Sequence, residues 1–492
     1  MKPLRSLAFA AAVLLGALGS ASAQSPWQPL THQPSFSASN PLLLTDGTVL
    51  VHDAGAADWW KLTPDQNGSY VNGTWSQVAS LPTGYEPLYY SSAVLPDGRV
   101  IIEGGEYNMG HGVRTNKGAI YNPIINTWTA MTPPSGWMLI GDAPSVVLSS
   151  GTYMQTDCCD QPPKAALLDP TTLTWTATGS GKFDVYDEEG MNLLPGGKVL
   201  DVDAYVFVYN PTGMNSELYD PSTGTWTSAG STVVQLWDSC GGAGGASYEV
   251  GPAMLRPDGT VFATGANGCG AGHTAIYNTS TGVWTAGPDF PDNLDIADGP
   301  AALLPDGNVL LMASPGIFQN GSVFFEWDGT NLNQVAGTPN SPSDPSYVGN
   351  MLVLPTGQVL LTDFSSDVEV YTSTGSPNPS WEPSAVLSLS SPIVTRGSTI
   401  MLSGRKFNGY SQAVAYGDDE QAATNYPIVR LTNASTGHVF YARTHDHSTM
   451  AVAYQGPAYT HVDIPANMET GQTYLEVIAN GIASPRYNIG VR

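Results

Sequence analysis

The sequence predicts an all-β chain, a seven-bladed β-propeller followed by a small β-sandwich, and three observations lead to it. The first is a phrase that returns seven times, typified by Leu95-Pro96-Asp97-Gly98-Arg99-Val100-Ile101-Ile102 and turning on Gly47, Gly98, Gly151, Gly197, Gly259, Gly307 and Gly357. Each copy is a hairpin: proline presets the first φ, Asp or Thr tolerates the bend, and glycine takes the φ > 0 position beside β-branched strands. Successive turn glycines lie 51, 53, 46, 62, 48 and 50 residues apart, near the ~50-residue period of a propeller blade. The second observation falls once per period, as Tyr121-Asn122-Pro123 to Trp128, Leu168-Asp169-Pro170 to Trp175, Tyr219-Asp220-Pro221 to Trp226 and Tyr277-Asn278-Thr279 to Trp284. This reads as strand three, a turn and strand four, so each period supplies four antiparallel strands whose faces are buried on the neighbouring blades. The sixth copy is degenerate, with Trp327-Asp328-Gly329 in its turn. The third observation is the stretch after residue 380, where short runs alternate apolar and polar residues.

Taken in order, residues 1–23 carry Lys2 and Arg5, an apolar run from Leu7 to Leu18, and Ala21-Ser22-Ala23 before Gln24. That is the pattern of a secretory leader with an A-x-A cleavage site, too short to span a bilayer, and it predicts an exported chain, secreted or periplasmic. No later apolar run is long enough for a membrane helix, so no membrane insertion is expected. Losing Lys2 and Arg5 takes the formal charge from −25 to −27. So acidic a surface disfavours nucleic acid and anionic membranes and favours cations or neutral ligands; solubility outside the cell is the plainer reading.

Trp27-Gln28-Pro29-Leu30 looks like a fourth strand without its blade. It is expected to complete the seventh blade, which begins near Tyr347 and ends at Val368-Glu369-Val370-Tyr371, so that the ring closes and no edge stays open. The propeller is thus expected over residues 24–380. After Ser376-Pro377-Asn378-Pro379 comes a domain at 381–492, with strands expected at Ala385–Leu389, Thr399–Leu402, His438–Ala442, Met450–Ala453, Tyr474–Ile478 and Tyr487–Val491. It reads as an antiparallel sandwich of immunoglobulin type. Four cysteines in an exported chain invite oxidation. Cys240 and Cys269 belong to loops on one face of the fifth blade and are expected to pair; the adjacent Cys158 and Cys159 read either as a vicinal bridge or as two thiols.

In a propeller the innermost strand of each blade lines the central channel, and the start of each points at one shared mouth opposite the glycine turns. Nine residues before each turn glycine, ten in the fifth blade, stand Ala38, Tyr89, Asp142, Glu188, Glu249, Asp298 and Val348. Four of the seven are carboxylates. Like charges converging on one axis raise one another's pKa unless a cation or donors compensate. Asp142, Glu188, Glu249 and Asp298 therefore read as a hard-cation site, calcium being the suited ion, as an acid/base pair for glycoside chemistry with Tyr89 as a further acid or base, or as a plain acidic mouth. Loops on the same face bring Asp53, Asp58, Trp59 and Trp60, then Glu106, Tyr107 and Asn108, then Asp157, Asp160, Asp203 and Asp363. Aromatic faces beside carboxylates suit a sugar, whose C–H face stacks while its hydroxyls are bound. Trp59 and Trp60 also read as a plug between two blades.

Kelch-type blades behind a leader, followed by a sandwich containing Gly437-His438-Val439-Phe440-Tyr441-Ala442-Arg443-Thr444-His445-Asp446-His447, resemble the galactose oxidase family of copper radical oxidases over nearly the whole mature chain. By that resemblance Tyr89 matches the tyrosine that is cross-linked to cysteine and binds copper, and Tyr107 stands where the family has a stacking aromatic. The family's Tyr-His pair falls on Tyr347-Val348, its cross-linking cysteine near Ser39 or Asn40, and its sandwich-loop histidine on Tyr441. The required nitrogen and sulfur donors are out of register, so copper is not expected. His445 and His447 are the remaining metal candidates, should a shifted loop bring either into the channel.

Three functions follow, in order: an exported protein binding a neutral or amino glycan, or another extracellular small molecule, at Trp59, Trp60, Glu106, Tyr107, Asn108 and Tyr347, with or without calcium; a non-redox carbohydrate hydrolase or lyase; and a copper oxidase with rearranged ligands. No phosphate loop, dinucleotide fingerprint or zinc spacing appears.

Overall fold

The computed structural model describes residues 25–209, 215–240, 246–266, 270–385, 392–417 and 420–492. The leader and Cys269 lie outside the described residues. What is described is nearly all β, with four-stranded antiparallel sheets in a propeller-like arrangement. The hairpin phrase folds as its chemistry requires. All seven turn glycines have φ between 78° and 93°, and the aspartates at 46, 97, 258 and 306 accept from the backbone N–H two residues on.

The first of these sheets orders Ala38–Leu43, Val49–Asp53, Trp59–Thr63 and Thr74–Gln77, and the same order recurs along the chain. Inner strands touch in sequence from Ala38–Leu43 through Ser91–Val94, Ser145–Val147, Met191–Leu193, Ala253–Leu255, Ala301–Leu303 and Asn350–Val353, and the last of them touches the first again. Their side chains are buried on both sides, the polar Ser39, Asn40, Ser91, Ser92, Ser145, Asn192 and Asn350 included.

The tryptophan signal is a register marker. Trp128 stands opposite Tyr121, Trp175 opposite Leu168, Trp226 opposite Tyr219 and Trp284 opposite Tyr277. Trp27 stands opposite Tyr371 in the same way, on a strand Trp27–Pro29 paired with Glu369–Tyr371. Its ring lies 4.9 Å from those of Phe324 and Tyr371, and its Nε1 donates to Ala336 O at 2.7 Å. The degenerate copy keeps its core: Trp327 stacks on Phe262 at 3.8 Å, with the Arg256 guanidinium 4.5 Å above it. Deleting residues 24–30 is expected to destabilise the fold by at least the ~3–5 kcal/mol of a buried Trp→Ala change, read as a lower urea midpoint. An unchanged midpoint would remove the closing role of this strand.

The C-terminal part has its own core of Leu402, Phe407, Val429, Leu431, Val462, Leu475 and Val477 among others. Strands at Thr399–Arg405, Val439–His445, Gly471–Ala479 and Tyr487–Val491 lie near their expected places. Two six-residue strands, Ile428–Asn433 and Ala458–Asp463, were not anticipated, nor were the two-residue strands Ile393–Val394, Val414–Ala415 and Ile482–Ala483. Met450–Ala453 is not a strand: Met450 N donates to Ser149 O, and Val452 is buried among propeller residues. Of the run at Ala385–Leu389, only Ser384–Ala385 is described, as strand.

Two contacts fasten this domain to the ring. The hairpin at 437–447 lies on the glycine-turn face, where Val439 N donates to Gln66 O, Thr444 N to Thr45 O and Arg443 Nη2 to Asp97 O. Tyr441 packs on Gly47 and Tyr70 there. The segment that enters the channel is a different one, described at residues 408–417 and 420–427. Val414–Ala415 adds to the inner edge of Ala301–Leu303, Gln412 accepts from Leu193 N, Gln421 O accepts from Ser92, and Tyr426 donates to Leu43 O.

Candidate functional site

At the end of the channel away from the glycine turns is a cavity of about 240 Å³. Asp142, Glu188, Glu249 and Asp298 all line it, with Glu106. Its walls are Tyr89, Tyr107, Phe318 and Tyr347. The near-equal spacing from each turn glycine is the cause, because it brings each of these residues to a similar height above its turn. Ala38 and Val348, at the equivalent positions, do not line the cavity, and Tyr347 takes the place beside Val348.

The chain enters these strands through left-handed backbone in five consecutive sheets, at Tyr89 (φ 52°), Gly141 (φ 68°), Glu188 (φ 60°), Tyr248 (φ 68°) and Asp298 (φ 60°). Such a conformation costs a non-glycine residue about 1–3 kcal/mol. Of the five, Tyr89, Glu188 and Asp298 put their side chains on the cavity.

Carboxylate oxygens of Glu188, Glu249 and Asp298 lie within 4.8 Å of one another, as do those of Asp142, Asp187 and Glu188. Glu188 belongs to both groups. Burial pushes the Asp142 carboxyl up, against the pull of Arg114 and a hydrogen bond with Asp187. Arg114 is the cation of the rim, and Asp187, Asp142, Glu188 and Glu106 hold its guanidinium charged. Glu106 and burial together push the Tyr107 phenol up.

The floor is the tip of the 408–427 segment. Tyr416 donates its hydroxyl to Tyr347 O at 2.5 Å. A Cβ on Gly417 would stand 2.5 Å from Asp298 Oδ1 and 2.6 Å from Val250 O, so only glycine fits under the carboxylates. Phe318 and Tyr347 meet edge to face at 5.7 Å, and Tyr89 meets Tyr107 likewise at 6.1 Å.

Several expected site residues lie elsewhere. Trp59 is fully buried and stacks on His52 at 4.6 Å, while Trp60 stacks on Phe36 at 4.9 Å. Both pack in the first sheet, because strand alternation gives these neighbours opposite faces and neither points along the axis. Asn108 braces its loop, accepting from Glu86 N and donating to Gly84 O. Asp157 accepts from Cys159 N and Asp160 N, and Asp160 pairs with Lys164. Asp363 accepts from Asn340 and Ser365. Cys158 and Cys159 form a vicinal disulfide, with Cys159 Sγ 3.5 Å from Asp187 Oδ1. Cys240 is disulfide-bonded; its expected partner Cys269 lies outside the described residues.

His445 and His447 are not in the channel. They lie on the turn face, where His447 N donates to Pro96 O and the His447 ring lies parallel to that of Tyr426. Burial takes the His447 imidazole down to about 3.

Arg114, Phe318 and Asp187 were not singled out from sequence. The run Asp187-Glu188-Glu189 was the available signal, since it sends three carboxylates to three places. Asp187 goes toward Asp142, Glu188 into the mouth, and Glu189 into a buried cluster centred on Lys182. There Lys182 Nζ donates to Asp184 Oδ1 at 2.7 Å and Asp203 Oδ1 at 2.9 Å. Glu189, Asp201 and Glu217 stand 2.8, 3.5 and 3.0 Å away, and all six side chains are hidden from solvent.

No protein-family model matches the sequence, and no curated protein matches it. Solved structures do. The chain is similar in fold to a fungal alcohol oxidase of the AA5 family. That structure, solved in complex with copper, shares 15% identity over 95% of this chain and 98% of its own, with a TM-score of 0.50. An extracellular domain assigned to a hybrid two component system of B. thetaiotaomicron shares 10% identity over 93% of this chain and 57% of its own, at a TM-score of 0.45. The likeness is one of fold.

Copper, which that fold family implies, was tested against the residues. The cavity offers phenols and carboxylates, with no imidazole and no thiol on its lining. Such an oxygen-only set suits calcium, magnesium or manganese rather than copper, and the copper-oxidase reading through His445 or His447 fails on their position. No described helix is long and apolar enough to cross a membrane.

Proposed function

We propose that this chain is an exported seven-bladed, kelch-type propeller (24–380) carrying an immunoglobulin-like sandwich (381–492), and that its mouth binds the end of a neutral or amino glycan around a cationic centre. One observation carries this reading: Glu188, Glu249 and Asp298 bring their oxygens within 4.8 Å of each other on the lining of an aromatic-walled cavity. Three carboxylates at that spacing suit calcium or the ammonium of an amino sugar, and an adjoining ring stacks on Tyr89, Tyr107, Phe318 or Tyr347. The cavity is smaller than the ~300–1,000 Å³ of drug-sized sites, which favours one sugar unit over a long segment. Secretion or periplasmic export is the setting that the leader implies.

The test is calorimetric titration of the mature protein with calcium, and with neutral and amino sugars with and without calcium. Glu188→Gln with Glu249→Gln is expected to abolish binding while the melting temperature in EDTA does not fall. Binding that survives both changes would leave a plain acidic mouth. A second reading, a non-redox glycoside hydrolase or lyase, is favoured by the adjoining carboxyls of Asp142 and Asp187, since two carboxyls in unlike surroundings are what such chemistry needs. Release of new reducing ends that Asp142→Asn stops would establish it.

A further inference from the structure

We propose a zinc site on the sandwich, formed by His445, His461 and Asp446, on the face of the ring opposite the carboxylate mouth. His445 and His461 are register partners on the adjacent strands Val439–His445 and Ala458–Asp463. Their rings lie 5.4 Å apart at 23°. Asp446, left-handed at φ 51°, turns its carboxylate back between them. Its Oδ2 lies 2.7 Å from His445 Nδ1 and 3.8 Å from His461 Nδ1. One donor atom from each of the three lies within 4.8 Å of the others.

Two further observations separate this group from a chance cluster. His461 Nδ1 is buried and has no hydrogen-bond partner among the described residues, so an unsatisfied nitrogen faces the place where an ion would sit. Moreover, His445 already has the support of a metal ligand: its Nε2 lies 3.2 Å from Asp463 Oδ1, which leaves Nδ1 toward the ion. Asp463 is in turn held by Arg443 at 2.9 Å and Thr399 at 2.6 Å. Two imidazoles and one carboxylate, with room for water as the fourth ligand, are a donor set for zinc rather than calcium. Tetrahedral donors at ~2.0–2.2 Å from zinc stand about 3.3–3.5 Å from one another, so His445 and Asp446 must open by about half an ångström while His461 closes in by about as much, which side-chain rotation at a partly exposed strand end allows. His447 takes no part, because the kink at Asp446 sends it into the interior.

The experiment uses the full mature chain stripped with EDTA, titrated with zinc by calorimetry and with cobalt by visible absorption. One equivalent is expected to bind, with cobalt giving the intense bands of tetrahedral coordination. His461→Ala and His445→Ala should each weaken zinc by more than tenfold, and Asp463→Asn by about 10–100-fold. His438→Ala, an imidazole elsewhere on the sandwich, should leave binding unchanged. His461 is partly exposed, so His461→Ala is expected to melt in EDTA as the parent does even if the His445 variant folds poorly. Absence of a stoichiometric site, zinc binding that His461→Ala does not weaken, or zinc binding that moves instead with Glu188→Gln would overturn the proposal.

Discussion

Replacing Lys182 by methionine is expected to destabilise the fold by about 3–5 kcal/mol, the cost of removing one partner from a buried ion pair. The ammonium is the common counter-ion of Asp184, Glu189, Asp201, Asp203 and Glu217, all hidden from solvent. Burial alone would lower its pKa, but the carboxylates, led by Asp184 and Asp203, hold it well above the usual lysine range. One positive charge does not balance five negative ones, and the carboxyls of Glu189 and Asp203 are pushed far up, first by burial. The excess negative charge favours proton uptake by the cluster. Methionine removes the remaining compensation, and acid should restore some of it by protonating further members. Urea unfolding at pH 5 and pH 8 checks this: a deficit larger at pH 8 is expected, whereas a Lys182→Met variant as stable as the parent at both would mean that the cluster is neutral throughout.

Stability of the unsubstituted protein should also fall as pH rises from about 4.5 to about 8. Burial raises the carboxyl of Asp157 to about 6 and those of Asp295, Asp344 and Glu369 to about 7. Between the ordinary carboxyl range and these values the folded chain keeps protons that the unfolded chain has lost, so each such group favours the fold at low pH and loses that contribution as pH climbs through the window. Glu103, Glu189 and Asp203 act in the same sense over a wider span. His52 and His447 act oppositely: burial lowers them to about 4 and about 3, so the unfolded chain gains their protons first as pH falls below 6.5. Seven carboxyls against two imidazoles decide the sign, and self-repulsion of so acidic a chain adds to it. Melting temperatures in EDTA from pH 4 to 8 measure the slope; a steady rise toward pH 8 would contradict it.

The sequence made the ring legible because its punctuation is local. A glycine with φ > 0 and a tryptophan opposite a tyrosine each need only a few neighbouring residues, so counting back from Gly197 and Gly259 placed Glu188 and Glu249 in one cavity. What depends on which way a neighbour faces was not legible. Trp59 and Trp60 carry the right chemistry for a sugar wall and point elsewhere. His461 became a partner of His445 only through a strand register that the fifteen intervening residues do not reveal. The channel segment was sought at 437–447 for its histidines, yet residues 408–417 and 420–427 fill it, a stretch whose glycine, Gly417, matters for the side chain it lacks.

That floor comes from the far end of the chain, and this imposes an order on how the protein is made. Trp27 is synthesised early and must wait for Tyr371 before its strand has a partner, and the cup stays bottomless until Tyr416 and Gly417 follow. Pairings so distant in sequence form late and slowly. A chain cut short before residue 408 therefore holds the mouth carboxylates without Tyr416 and Gly417 beneath them, an open tube in place of a vessel.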